Sequence, residues 1–213
     1  MTDPKDNWPL SKYNPGLHYH LHALGVIAVT YAGFQRSIDN LYLFHPRQQK
    51  LPDEELIKQK YLKLSDDKRI CAVREIFGKY EKDDAVKAAV KNVLDYFQWC
   101  KRSRDQILHA EQYPASFGGA PDTLYLIKQL NRQSPESGQM AFKLDDLRSI
   151  ADTIRAGIVQ SAGIDIYLRV SDVPENRLER SLRVYKHEPL PKPLHVPPPL
   201  VLSTNAATRI NRQ

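Results

Sequence analysis

Two side chains with complementary chemistry, Arg104 and His109, lie five positions apart near the end of a stretch with helical periodicity. An arginine keeps its positive charge and offers a planar fork of N–H donors to phosphate oxygens. A histidine accepts or donates a proton near neutral pH without the help of a metal ion. RNA carries its own nucleophile, the 2′-OH, so a protein can cleave it by moving protons and stabilising charge on the phosphorus. The pair therefore indicates phosphodiester chemistry.

The segment from Arg104 to His109 consists of an arginine, a polar residue, three further positions and a histidine. In this it resembles the signature of the HEPN family (higher eukaryotes and prokaryotes nucleotide-binding domains), many of whose members are metal-independent ribonucleases. The order of elements is also similar to that family: a long first helix, a second long helix with the motif near its end, and a closing helix. The commoner spelling has Asn after Arg, whereas Asp105 is an allowed variant that brings negative charge to a site meant for phosphate.

The resemblance implies an endoribonuclease that needs no metal or other cofactor, and a toxin or phage-defence effector that cleaves cellular RNA. Arg104 would hold the scissile phosphate, and His109 would act as general base or acid. Asp105 would orient a His109 or Arg104 of a second chain, while Arg102 and Lys101 would bind flanking phosphates. The implied partners are RNA, a second copy, and a cognate antitoxin or defence-system protein. The alternative is a non-catalytic HEPN-like module that dimerises or binds a nucleotide or protein.

The helical wheel places Arg104 and His109 on different faces. Seven residues return an α-helix to nearly the same face, so Arg104 follows the apolar stripe through Phe97, and His109 follows Asp95 and Arg102. The two motif residues diverge by about 140° on a continuous helix. A common site then requires either that the helix loosens between them or that two chains assemble it. A half-buried salt bridge is the structural alternative for Arg104, and a solvated helix face for the basic cluster.

The hydrophobic periodicity predicts a mainly α fold with about five helices, and the resemblance implies that they form a HEPN-like bundle. The alternating residues after Thr123 and a second short run before Lys143 predict a β-hairpin insertion, at about 123–143. The predicted segments are an N-terminal arm, a helical domain and a charged, proline-rich tail: 1–16, 17–170 and 171–213.

Positive charge is concentrated in the predicted tail. The formal net charge is +6, and from Arg169 onward eight Lys or Arg stand against four Asp or Glu, which leaves a surplus of two for the rest of the chain. Six prolines between His187 and Leu200 exclude regular structure there, but no two are three apart, so the PxxP register is absent. We expect the residues after about 187 to pack little against the bundle and to dock on a partner or remain mobile.

Other kinds of site have weaker support in the sequence. His18, His20 and His22 alternate and could hold a transition metal, but no Cys or acidic residue lies nearby, which favours ordinary surface or helix-start histidines. Glycine-rich phosphate loops and GxSxG elbows are absent. Two isolated cysteines, the lack of an early apolar run and the lack of a bilayer-spanning stretch predict a cytoplasmic protein without a membrane segment.

The divergence of Arg104 and His109, together with the cleft that the resembling family builds between subunits, predicts a homodimer with its two motif helices facing each other. We expect light scattering at micromolar concentration to give about twice the chain mass of 24.5 kDa. A mass that stays at one chain would contradict this prediction.

Overall fold

The computed structural model describes residues 18–43, 54–113, 123–129, 137–171 and 173–201, and these are mainly helical with a small antiparallel sheet. The predicted N-terminal arm, 1–16, lies outside the described residues. Within these residues the helices and strands are, in chain order, α1 His18–Leu43, α2 Glu54–Leu62, α3 Asp66–Tyr80, α4 Asp84–Leu108, β1 Glu111–Tyr113, β2 Thr123–Gln129, β3 Ser137–Lys143, α5 Leu144–Val170 and α6 Arg180–Arg183, with a 3-10 turn at Glu175–Arg177. The mainly α prediction and the hairpin are confirmed.

The chain divides into two compact units. The first comprises 1–29, 102–152 and 199–213, and the second comprises 30–101 and 153–198. The first unit holds the three strands and the end of α4, and the second holds α2, α3 and α6.

Aromatic side chains from α1 and α4 form the centre of the second unit. Phe97 stacks on Tyr31 at a centroid distance of 5.3 Å and meets the edge of Phe34 at 5.0 Å. All three are buried, and such pairs add about 1 kcal/mol each beyond their burial. Gly157 of α5 lies against Phe34, since a Cβ there would come within 2.4 Å of the ring. The aromatic cluster therefore fixes the rotation of α4 about its axis.

A polar network joins α1 to the α2–α3 connection in the same unit. Arg69 donates to the carbonyl oxygens of Leu62 and Leu64 and to the carboxylate of Asp39, and Tyr61 Oη donates to that carboxylate at 2.9 Å. Burial raises the pKa of Asp39 despite these two donors. The network satisfies the carbonyl oxygen of Leu62 at the end of α2 and that of Leu64 in the connection that follows.

The first unit is built on a sheet with strand order β1-β2-β3, in which both pairs are antiparallel. Leu124 lies opposite Phe142, and Leu126 lies opposite Met140, and all four are buried. These residues make one face of the predicted hairpin apolar. Strand β1 was not predicted, and it pairs with β2 from Glu111 opposite Ile127.

Residues 189–198, which we call the strap, lie along α4 and α5 within the second unit. Asn92 of α4 holds Leu194 twice, donating to its carbonyl at 2.9 Å and accepting from its N–H at 2.8 Å. Trp99 Nε1 donates to the carbonyl of Pro198 at 2.8 Å. Gln160 of α5 donates to the carbonyl of Lys192 at 3.3 Å.

The prediction that the residues after about 187 pack little against the helices is therefore wrong for the strap, while residues 202–213 lie outside the described residues. Its premise was correct, because 188–201 contain neither helix nor strand. Proline removes N–H groups but keeps carbonyl oxygens, so a proline-rich segment without secondary structure still accepts hydrogen bonds from side chains. Asn92, Trp99 and Gln160 supply those donors.

The strap predicts an unusual response to a glycine substitution on α5. A Cβ at Gly163 would come within 2.6 Å of Pro191 Cγ, so we expect Gly163→Ala to lower the free energy of unfolding by about 1 kcal/mol or more, although alanine favours helix. Gly78→Ala on α3 is the matched control, since its Cβ would meet no atom within 4 Å. We expect it to be neutral or stabilising in urea denaturation. Equal effects of the two substitutions would contradict the strap contact.

Candidate functional site

Helix α4 positions the motif, and both of its ends are defined by specific hydrogen bonds. At its start, Asp83 Oδ1 accepts the N–H of Ala85 at 2.8 Å and that of Val86 at 3.4 Å, as an N-cap residue does. The apolar stripe that contains Phe97 is buried: Val86, Val90, Val93, Leu94, Phe97 and Cys100. Further along, Ile107 is buried and Leu108 is half-buried.

Arg104 is half-buried, as the seven-residue relation to Phe97 predicts. Its side chain is 22% exposed, and its Nε lies 3.1 Å from Asp105 Oδ1. The half-buried arginine thus pairs with the carboxylate of the next residue in the chain. A half-buried ion pair of this kind retains its charge and a partly open face.

His109 lies one residue beyond the end of α4 and is 67% exposed. The backbone there tightens, since the N–H of Ala110 bonds to the carbonyl of Ile107 at 3.4 Å. Strand β1 begins at Glu111 and pairs with β2, so the backbone is fixed on both sides of the histidine. The α-helix therefore ends at Leu108, between the two motif residues, and this interruption is one of the two arrangements that the helical wheel left open.

One carboxylate oxygen joins the two motif residues. Asp105 Oδ1 is 3.1 Å from Arg104 Nε and 3.8 Å from His109 Nε2. The second distance is too long for a hydrogen bond but is within ion-pair range once the imidazole is protonated. Asp105 is 30% exposed, so the three side chains meet at the surface. Within a single chain, the motif residues converge on one acid.

Lys128 of β2 is a neighbour of the motif that the sequence analysis missed. Its Nζ donates at 3.0 Å to the carbonyl oxygen of Asp105, one of the last four carbonyls of α4. These carbonyls lie at the negative end of the helix dipole, where a cation is stabilising. The sequence did indicate the direction of this side chain, because residues two apart on a strand share a face and Lys128 follows the buried Leu124 and Leu126.

The two predicted phosphate-binding residues differ in their surroundings. Arg102 is exposed on α4 and belongs to the same unit as the motif. Lys101 belongs to the other unit and is paired there, with its Nζ 3.4 Å from Asp67 Oδ2 of α3. The structure thus records an acid partner for Lys101 and places Arg102 in the unit that contains the motif.

The other candidates of the sequence do not form a second site among the described residues. Within these ranges, no group of three or more His, Cys, Asp or Glu side chains is arranged to hold a metal ion. His20 is buried in α1 whereas His22 is exposed, so these two histidines lie on different faces. Burial raises the pKa of the Cys100 thiol to about 12, which keeps it protonated at neutral pH.

Comparison with protein-family models, with curated proteins and with solved structures found no match to this chain. None of the described helices has the length and apolar character needed to cross a bilayer. The chemistry of the site is therefore inferred from its own residues.

The contact of Lys128 with the end of α4 leads to a prediction. We expect Lys128→Met to lower the free energy of unfolding by about 1 kcal/mol, because a carbonyl at the helix end loses a charged donor. Amide hydrogen exchange at Ala110 should accelerate as well. Lys143→Met is the control in the same sheet, since that side chain is exposed, and it should change neither quantity. Unchanged exchange in Lys128→Met would refute the role of this contact.

Proposed function

We propose that the protein is a metal-independent endoribonuclease of the HEPN type, with Arg104 and His109 as its catalytic residues. The observation that carries the proposal is their convergence on Asp105 Oδ1, at 3.1 and 3.8 Å, in the same chain. A permanent cation and an exposed imidazole beside one another are the two groups that cleavage by the neighbouring 2′-OH requires. The element order that resembles HEPN domains supports the same family.

The proposed mechanism begins with a proton transfer to His109. The neutral imidazole takes the proton of the 2′-OH, and the 2′-oxygen attacks phosphorus. The bond to the 5′-oxygen then breaks, and this oxygen takes up a proton as it leaves. Arg104 donates to the non-bridging oxygens as their negative charge grows. Because Nε2 faces Asp105, Nδ1 is the nitrogen available to the substrate.

The second proton transfer supports the homodimer. One imidazole cannot be base and acid in the same step. Two other histidines of this unit have described side chains, the buried His20 and the exposed His22, and both lie on α1 outside the motif. A second copy would supply its own His109 across the interface. Each chain would then contribute one proton-transferring group to a composite site, and a cognate antitoxin or defence-system protein would act by covering that site.

The charges around the motif favour an anionic substrate. Arg102 and Arg104 lie within three residues of Asp105 on α4, and Lys128 contacts the carbonyl of Asp105, so three positive charges stand close to this one carboxylate. The surplus persists when His109 is neutral. Phosphate binding by such a cluster is strengthened by released counterions and weakens as salt increases.

A second candidate function follows from the same oxygen. Because Asp105 already engages Arg104, the three polar side chains could serve as a set of interface pairs in a non-catalytic HEPN-like module. Such a module would bind a protein or nucleotide without cleaving RNA. The two candidates differ in the consequence of removing the carboxylate.

Substitution of the two motif residues tests the catalytic assignment. We expect His109→Ala and Arg104→Ala each to lower RNA cleavage by about 100-fold or more, and Arg104→Lys to remain impaired because an ammonium lacks the fork. Circular dichroism should show an unchanged fold. His22→Ala and Arg155→Ala are the controls, since both side chains are exposed and lie outside the motif, and both should cleave normally. Undiminished cleavage by His109→Ala would overturn the mechanism.

Asp105→Asn separates the two candidate functions. The substitution restores the commoner HEPN spelling and removes the negative charge beside Arg104, so we expect RNA to bind several-fold more tightly and cleavage to be equal or faster. Filter binding at several salt concentrations measures the first, and single-turnover cleavage the second. If the protein is instead a non-catalytic interface module, neither the wild type nor Asp105→Asn cleaves RNA, and Asp105→Asn weakens association with the protein partner or second copy. Total loss of cleavage with binding retained would show that the carboxylate itself holds His109.

A further inference from the structure

The groove between α4 and α5 recognises the strap chiefly as backbone. The described hydrogen bonds across it end on main-chain atoms of Lys192, Leu194 and Pro198. The Asn92 side chain hydrogen-bonds both the N–H and the carbonyl of Leu194, as a neighbouring β-strand would. Recognition of this kind depends on an extended backbone with an N–H at the central position, and it tolerates many side chains.

One position of the groove selects for a proline ring. Gly163 of α5 faces Pro191, and a Cβ on Gly163 would lie 2.6 Å from Cγ of the ring. Because Gly163 has no side chain, it leaves a recess that the ring of Pro191 fills. Pro191 lies three residues before Leu194, whose N–H bonds to Asn92. The groove therefore matches a segment with proline, two further residues, and then a residue that is not proline.

The strap does not satisfy every polar group of the groove. Gln160 is only 4% exposed, and its Oε1 has no hydrogen-bond partner among the described residues, although its Nε2 donates to Asn92 and to Lys192. Prolines occupy both neighbours of Lys192 and lack N–H groups, so they cannot supply the missing donor. A buried acceptor left unpaired weakens the attachment of the strap. A segment with one more N–H at this point would bind better than the strap.

The side chains of the strap are at most half-buried. Lys192, Pro193 and His195 are exposed, and the half-buried residues are Leu190, Pro191, Leu194, Val196 and Pro197. Their partial burial adds to the main-chain hydrogen bonds without enclosing the strap, so the segment can leave the groove without opening the buried core. Before the strap, Lys186 donates to the carbonyls of Val170 and Ser171 at 2.8 Å, so the chain remains attached at the end of α5 when the strap is displaced.

We propose that the α4–α5 groove is a binding site for an extended, proline-containing segment of another protein, and that the strap is an internal occupant that competes with it. The tether gives the strap an effective concentration of about a millimolar or more, so a partner segment must bind the groove better to replace it. The unpaired Gln160 Oε1 is the group through which a partner segment would do so.

The test uses the full chain and a fluorescein-labelled peptide with the sequence of residues 187–201. In the chain, Leu194→Pro removes the N–H that bonds Asn92 and weakens the internal occupant. We expect anisotropy titration to show the peptide binding this variant about tenfold or more tightly than the wild-type chain, because competition is relieved. Pro191→Ala in the chain removes a different contact, that of the proline ring with Gly163, and should also increase the affinity for the peptide.

Blocking variants establish where the peptide binds. Adding Gly163→Ala to Leu194→Pro should abolish peptide binding, whereas adding Gly78→Ala should leave it unchanged. A labelled peptide with proline at position 194 should not bind any of the chains. Equal binding to wild type and to both opened variants, or binding that survives Gly163→Ala, would overturn the proposal. Mixed dimers formed by exchange of straps between copies, with no peptide bound, would also overturn it.

Discussion

The burial of one face of α4 is the constraint on which the other features depend. Phe97 lies between Tyr31 and Phe34, and this aromatic contact fixes the rotation of α4 about its axis. A helix has one rotation along its whole length, so the residues that follow are directed by the same contact. Arg104, seven residues after Phe97, is therefore half-buried and reaches a carboxylate while one face remains open.

The same rotation presents a second face of α4 to the strap. Asn92 and Trp99 are seven residues apart and both donate to the strap main chain. Opposite them, α5 buries two polar residues, Gln160 and Ser161. The strap accounts for part of this burial of polar side chains, because it accepts a hydrogen bond from Gln160.

Sequence patterns predicted the elements well because each depends on local periodicity. The helices, the hairpin and the half-buried position of Arg104 follow from side-chain spacing alone. The meeting of Arg104 and His109 at Asp105 was missed because the helical wheel compared only those two residues, although Asp105 is next to Arg104 and four residues before His109. The contact of Lys128 with the end of α4 was missed because it joins residues from separate elements.

Features that rest on long-range contacts were the ones missed. Strand β1 has three residues, too few for an alternating pattern, and it exists because β2 pairs with it. The strap has the composition of an unstructured segment, but composition reports the lack of regular structure and carries no information on docking. Its partners on α4 lie about a hundred residues earlier in the chain, with Asn92 bonding to Leu194.

The central claim is that Arg104 and His109 act together on a phosphodiester whose own 2′-OH is the nucleophile. The most direct measurement is analysis of the ends produced when purified protein cleaves a defined RNA in the presence of EDTA, beside the same RNA with a single 2′-deoxynucleotide at the cut site. The account predicts 2′,3′-cyclic phosphate and 5′-hydroxyl ends, and no cleavage of the 2′-deoxy substrate. Ends with a 5′-phosphate, cleavage that stops in EDTA, or unimpaired cleavage of the 2′-deoxy substrate would contradict it.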